Sequence, residues 1–223
     1  NYYIEPTFGV YVITDPSLSI ETIYGRASMA SKKCKNKYMD YIEYYDQDMT
    51  DHYLMEQRII NEMQGALDNE EFVVYFQPKY FLRAGMPNGA EALVRWNHPK
   101  NGLMFPGQFI PVFERNGFIG KLDYYMWDKV CQYLRRWIDE GLRPDPVSVN
   151  VSRANMYNPH LVDIISDLVK KYDIPPALFN LEITESAYMD NPNQMKNTIC
   201  ALKKRGFVIM MDDFGSGYSS LNT

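Results

Sequence analysis

Acidic and amide side chains stand near the ends of four separate apolar stretches: Glu91 in GAEALVRW, Asn150 in VSVNVS, Glu182 in LEITES, and Asp212 with Asp213 in VIMMDDFGSGYSSL. Oxygen donors gathered from several strand ends are what one or two hard divalent cations require, and such cations can activate water beside a phosphate. Any one of these carboxylates alone reads more simply as a structural ion pair. As a set with one placement they point to an oxygen-ligand metal site. His52, His98 and His160 are scattered, and Cys34, Cys131 and Cys200 form no CxxC pair. A zinc site of the usual nitrogen and sulfur type is therefore disfavoured, and Mg2+ or Mn2+ fits better. Dispersed cysteines in odd number also argue for reduced thiols in a cytoplasmic setting.

The elements that must position these donors belong to a chain of 223 residues, 46% hydrophobic and 23% charged, with a net charge of -5. That is the composition of a soluble globular protein long enough to bury a sizeable core. The acidic balance offers no footprint for duplex nucleic acid or an anionic membrane surface, so a phosphate-bearing substrate must be handled locally, by a metal and a few cations. No apolar run approaches the roughly 18 residues needed to span a bilayer, and no signal-peptide pattern opens the chain. Because a strand-like run already stands at FGVYVI close behind Asn1, the sequence reads as a fragment whose parent could carry sensory or membrane-anchoring segments upstream.

Residues 8–14 read as a strand. Asp15 and Pro16 then supply a cap and a first-turn proline for a helix with Ile20, Ile23, Ala27 and Ala30 on one face. Lys32, Lys33, Lys35 and Lys37 follow as a solvated helix terminus favoured by the dipole. Tyr41 to Tyr45 suggests a second strand, and a helix over 51–68, with Leu54, Ile59, Met63 and Leu67 on one face, reads as a connector. From Phe72 strands and helices alternate: FVVYF, AEALVRW, a helix over 122–140, PVSVNVS, a helix from Pro159 to Lys171, FNLEIT, a helix from Pro192 to Arg205, and FVIMM. That succession implies βα units around a parallel sheet, and hence part of a (β/α) barrel. In VSVNVS and FNLEIT the apolar residues Val147, Val149, Val151, Phe179, Leu181 and Ile183 share one face while Ser148, Asn150, Asn180 and Glu182 share the other. The polar face must find hydrogen bonds or ligands, and barrel active sites lie at strand carboxyl ends.

In their order and spacing, GAEALVRW, FIPVFERNGFI, VSVNVSR, LEITES and DDFGSGYSSL resemble the EAL-domain family of cyclic di-GMP phosphodiesterases, over about residues 56–223. Residues 1–49, with FGVYVIT and YDQDM, resemble the final part of a GGDEF domain. The fold class implied is α/β: an incomplete TIM-like (β/α) barrel with FVVYF as an antiparallel first strand, preceded by a partial α+β GGDEF-like domain. The organisation implied is a GGDEF-like remnant over 1–49, a connecting helix over 50–70, and the first part of an EAL domain over 71–223.

The resemblance implies two ions, Mg2+ or Mn2+, with Glu91, Asn150, Glu182 and Asp212 on the first and Asp212 with Asp213 on the second. Glu91, Asp212 and Asp213 would be catalytic in hydrolysing cyclic di-GMP to linear pGpG. Arg95 matches the family's phosphate-contacting arginine and Gln77 its ligand-contacting glutamine. Glu185 matches the glutamate bracing the loop FGSGYSS, which the family links to homodimerisation through this domain. The family also uses a lysine and a glutamate beyond Thr223, so the expectation is an active parent and a fragment that is poorly soluble or inactive by itself. Phe113 stands where relatives more often carry a small residue, a departure that bears on helix packing. Two other readings remain open: a catalytically inactive cyclic di-GMP receptor or scaffold, and an unrelated two-metal barrel hydrolase.

Overall fold

The computed structural model describes residues 6–34, 41–82, 85–184 and 192–212, so Glu185 and Asp213 lie outside the described residues. These fall into two compact units divided between Glu62 and Met63. In the first, strand β1 (Phe8–Val10) pairs in parallel with β2 (Ile42–Tyr44), and helix α1 (Ile20–Cys34) packs against both. The first strand is shorter than the apolar run suggests, and α1 begins later than the Asp15-Pro16 signal implied. Asp15 Oδ1 accepts from the N–H and the hydroxyl of Ser17 at 2.9 and 2.6 Å, closing a turn, and Ser19 Oγ takes the Thr22 N–H at 3.2 Å as the actual helix cap. Helix α2 (Gln47–Asp68) runs on from this unit.

The second unit is built on a six-stranded sheet of β3 (Phe72–Tyr80), β4 (Pro87–His98), β5 (Gly102–Met104), β6 (Val147–Asn150), β7 (Phe179–Thr184) and β8 (Ile209–Asp212). Its order is β3-β4-β6-β7-β8, with β5 paired to β4. The β3 to β4 pair is antiparallel, while β4, β6, β7 and β8 run parallel. Between them lie helices α3 (Pro106–Asn116), α4 (Ile119–Asp139), α5 (Arg153–Met156), α6 (Leu161–Lys171) and α7 (Pro192–Lys204). Val147, Val149, Val151, Phe179, Leu181 and Ile183 are all buried in one core with Trp127, Val130 and Leu134 of α4, Leu161, Ile165 and Leu168 of α6, and Leu202 of α7. Apolar side chains spaced by two, most of them β-branched, cover one pleated face, and this face is where the helices dock.

A second cluster, almost wholly aromatic, joins Phe72, Trp96, Phe109, Phe113 and Phe118 through ring centroids 4.9 to 6.2 Å apart. Phe113 is fully buried within it and touches four rings, which shows how its bulk is absorbed. This packing clamps α3 to β3 and β4, and the Trp96 indole N–H donates to Glu71 at 2.9 Å.

Gly89 governs how β4 meets β6. Its φ is +114°, a conformation that suits only glycine, and a Cβ there would run into the Pro146 carbonyl oxygen. The same oxygen accepts the Ala90 N–H at 3.0 Å, one residue before Glu91. Gly89→Ala should destabilise the protein by at least roughly 1–3 kcal/mol, the scale of a forced backbone conformation. Urea unfolding measures this, and an unshifted midpoint would show that the strands do not depend on this approach.

Candidate metal centre

Strand register carries the candidate donors to one place. Gln77, Glu91, Ser148 and Asn180 form one row across β3, β4, β6 and β7; Asn150 and Glu182 lie in the next row towards the strand carboxyl ends; Thr184 and Asp212 lie in the row beyond. All sit on the sheet face opposite the helix-packed valines. Successive rows are about 7 Å apart along a strand, a step that flexible glutamate side chains can bridge. Carboxylate oxygens of Glu91, Glu182 and Asp212 thus come within 4.8 Å of one another. Two oxygens on one Mg2+ stand up to about 4.2 Å apart, so small side-chain rotations bring this trio to ligating distance. Asn150 Nδ2 donates to Glu91 Oε1 at 3.2 Å, which places a fourth oxygen-bearing group beside the trio.

The electrostatics match such a donor set. Burial, followed by the neighbouring charge on Glu182, pushes the Glu91 carboxyl above its ordinary value, and Asp212 adds to the rise. The Asn150 hydrogen bond and the Lys79 ammonium oppose it. Negative charge is crowded here beyond what the neighbours neutralise, as a site for a divalent cation requires. Glu182 is buried and Asp212 exposed, so the cluster has an interior side and an open side. Asn180 Oδ1, one row below Glu182, is buried and accepts no hydrogen bond among the described residues.

Two surrounding groups fix Asn150. The Trp127 indole N–H donates to the Asn150 carbonyl at 3.0 Å, from a side chain 1% exposed. Beyond it, the Ser152 N–H and Asn155 Nδ2 both donate to Asp123 Oδ2 at 2.8 Å, tying the start of α5 to α4. Ser152 caps that short helix by accepting the Asn155 N–H at 3.4 Å. A cavity of about 800 Å³ with mostly apolar walls, including Leu93, Ile110 and Met126, opens beside Asp123 and Asn150.

Arg95 and Gln77 are not joined to the carboxylates. The Arg95 guanidinium lies over the rings of Phe105 and Tyr75, 5.1 and 5.7 Å from their centroids, and donates to the Val94 carbonyl at 2.8 Å. No ion pair links it to an acid among the described residues, and it shares a strand face with Glu91. Gln77 is exposed directly opposite Glu91. Glu185 and Asp213 lie outside the described residues. Sequence reasoning missed Lys79, whose ammonium bonds both Glu182 and Ser148, and it also missed Asp123. The nearest signal was the polar face of VSVNVS, which requires partners for Ser148 without naming them.

Comparison with known proteins places the chain in a family. The EAL domain profile matches residues 60–223, and the chain belongs to the EAL-domain family. It is 37% identical over 160 residues to the signaling protein YkoW of Bacillus subtilis, covering 72% of this chain and 20% of that protein. To the bifunctional diguanylate cyclase/cyclic di-GMP phosphodiesterase MucR of Pseudomonas aeruginosa it is 34% identical over 164 residues, covering 74% and 24%. The chain therefore spans about a fifth to a quarter of the length of these relatives. Among solved structures, the PaMucR phosphodiesterase in complex with c-di-GMP superimposes with a TM-score of 0.69 at 34% identity, over 73% of this chain and 66% of that one. The mixed α/β fold thus matches that of EAL structures, with its expected antiparallel first strand.

Asp123 generates a pH test. Burial above all pushes its carboxyl from 3.8 up to about 6, against the opposing hydrogen bonds from Ser152 and Asn155. A raised acid contributes stability that is fully present below its unfolded value and is lost as pH rises through the folded one. Stability should therefore fall between about pH 4 and 6, and Asp123→Asn should remove that slope and recover up to roughly 3 kcal/mol at neutral pH. Urea midpoints across this range measure it; a variant with the wild-type slope would assign the pH dependence elsewhere.

Proposed function

We propose that this chain forms part of a longer polypeptide that hydrolyses cyclic di-GMP to linear pGpG, using two Mg2+ or Mn2+ ions. One observation carries the reading: three carboxylates from three different strands, Glu91, Glu182 and Asp212, meet beside Asn150. In this reading Glu91, Asn150, Glu182 and Asp212 hold one ion, and Asp212 with Asp213 the other. Bound ions would lower the pKa of a water and neutralise a non-bridging phosphate oxygen.

The protein's own residues do the rest. Arg95 lies over the rings of Tyr75 and Phe105 and shares a strand face with Glu91, which suits a guanidinium that grips a phosphate beside the carboxylates. Gln77, exposed across from Glu91, would offer its amide to the nucleotide. Trp127 and the Asp123 bonds keep Asn150 aimed, so little reorganisation remains when substrate arrives. Residues 1–49 are proposed as the end of a GGDEF domain, and Glu185 as a brace for the loop after Asp213 that supports a homodimer. Among the described residues no helix is long and apolar enough to cross a membrane.

Glu91→Ala and Asp212→Ala, in the longer polypeptide, should each abolish release of pGpG and weaken Mg2+ binding in calorimetry. Near-normal turnover in either would remove that residue from the centre. Arg95→Ala should instead raise KM roughly 10- to 100-fold, the worth of a lost charge-assisted hydrogen bond, with metal affinity unchanged. A change confined to metal affinity would contradict the role given to Arg95.

A further inference from the structure

Lys79 lies where β3 and β4 lose register, between Pro78 opposite Ala90 and Tyr80 opposite Pro87. Irregularities of this kind re-aim side chains, and here the ammonium reaches across β4 to the parallel strands. Its Nζ donates to Glu182 and, at 2.8 Å, to Ser148 Oγ, while the Ser148 hydroxyl donates to the Ala90 carbonyl at 3.2 Å. The Glu182 side chain is 5% exposed and that of Lys79 28%. Among the described residues no other cation pairs with Glu91, Glu182 or Asp212. One ammonium against three carboxylates leaves two negative charges uncompensated, the charge of one divalent ion.

We propose that Lys79 is a built-in counter-ion of the carboxylate cluster, which holds Glu182 in place while the centre is empty of metal and lowers the affinity for divalent cations when they bind. The inference rests on the metal centre proposed above. Physically, an ammonium and a dication on the same carboxylate repel each other, and in a half-buried site water screens that repulsion only in part. Linkage makes the effect mutual: whatever factor Lys79 takes from metal affinity, the bound metal takes from the Lys79–Glu182 pair. Lys79 is thus a positioning residue that sets the metal concentration at which the centre fills. A lysine serving only to shape the site would have the opposite effect on removal, since losing it would disorder Glu182 and weaken binding.

The test is Mn2+ titration of this chain by calorimetry, with near-ultraviolet circular dichroism confirming the fold. Lys79→Met should tighten Mn2+ on the order of tenfold, a typical coupling between neighbouring sites. Lys79→Gln keeps a hydrogen-bond donor without the charge and should tighten it similarly, whereas Lys79→Arg should return affinity towards wild type. In EDTA, Lys79→Met should melt at lower temperature than wild type, and Mn2+ should raise its melting temperature by the larger increment. Unchanged or weaker Mn2+ affinity in folded Lys79→Met and Lys79→Gln would overturn the proposal and leave the metal centre standing. Absence of Mn2+ binding in folded wild type would overturn both.

Discussion

Like charge held close is the constraint on which this structure turns. Two carboxylates about 4 Å apart repel by about 4 kcal/mol at an effective dielectric near 20, and solvent on the open side reduces that. The trio of Glu91, Glu182 and Asp212 persists because backbone ladders hold the strands and the opposite face of the sheet is locked into a core with α4, α6 and α7. Burial is spent on one side of β6 and β7 so that charge can be concentrated on the other. Burial first, and the charges on Glu182 and Asp212 after it, displace the Glu91 carboxyl upward.

Groups far apart in sequence maintain the geometry. Gly89 lets β4 approach Pro146 closely enough for the parallel ladder to begin, and the ladder then fixes Glu91 beside Ser148. Trp127 anchors the Asn150 backbone from α4, and Asp123 anchors the turn that follows it. The aromatic cluster around Phe72 and Trp96 plays the corresponding part for β3 and β4. None of these groups is a donor in the proposed centre, yet each limits where a donor can stand.

Much of this was legible in the sequence, and the reason is periodicity. The alternation in VSVNVS and FNLEIT is strict, and β-branched throughout the apolar face of the first, so strand identity and the polar inner face follow from spacing by two. Chemistry at strand ends was readable for the same reason. Register between strands was not, because the stagger that sets Glu91, Glu182 and Asp212 in three successive rows depends on ladders closed far along the chain. Alternation puts Lys79 on the face of Gln77, but its partners Ser148 and Glu182 lie on strands 69 and 103 residues further on, which spacing within one strand does not reveal. Local sequence does not announce helix α3: Phe105 precedes it without a capping side chain, Pro111 lies inside it, and burial of Phe109 and Phe113 holds it instead. At the other end, local sequence offers Asp15 as a helix cap, yet its oxygen goes to Ser17, a competition between turn and helix that local sequence does not decide.

The central claim is that these carboxylates converge to share a cation. Anomalous diffraction from crystals of this protein grown with Mn2+ tests it most directly. The account predicts a peak within ligating distance of Glu91, Asn150, Glu182 and Asp212. A cluster without a peak at saturating Mn2+, or a peak held by other residues, would contradict it.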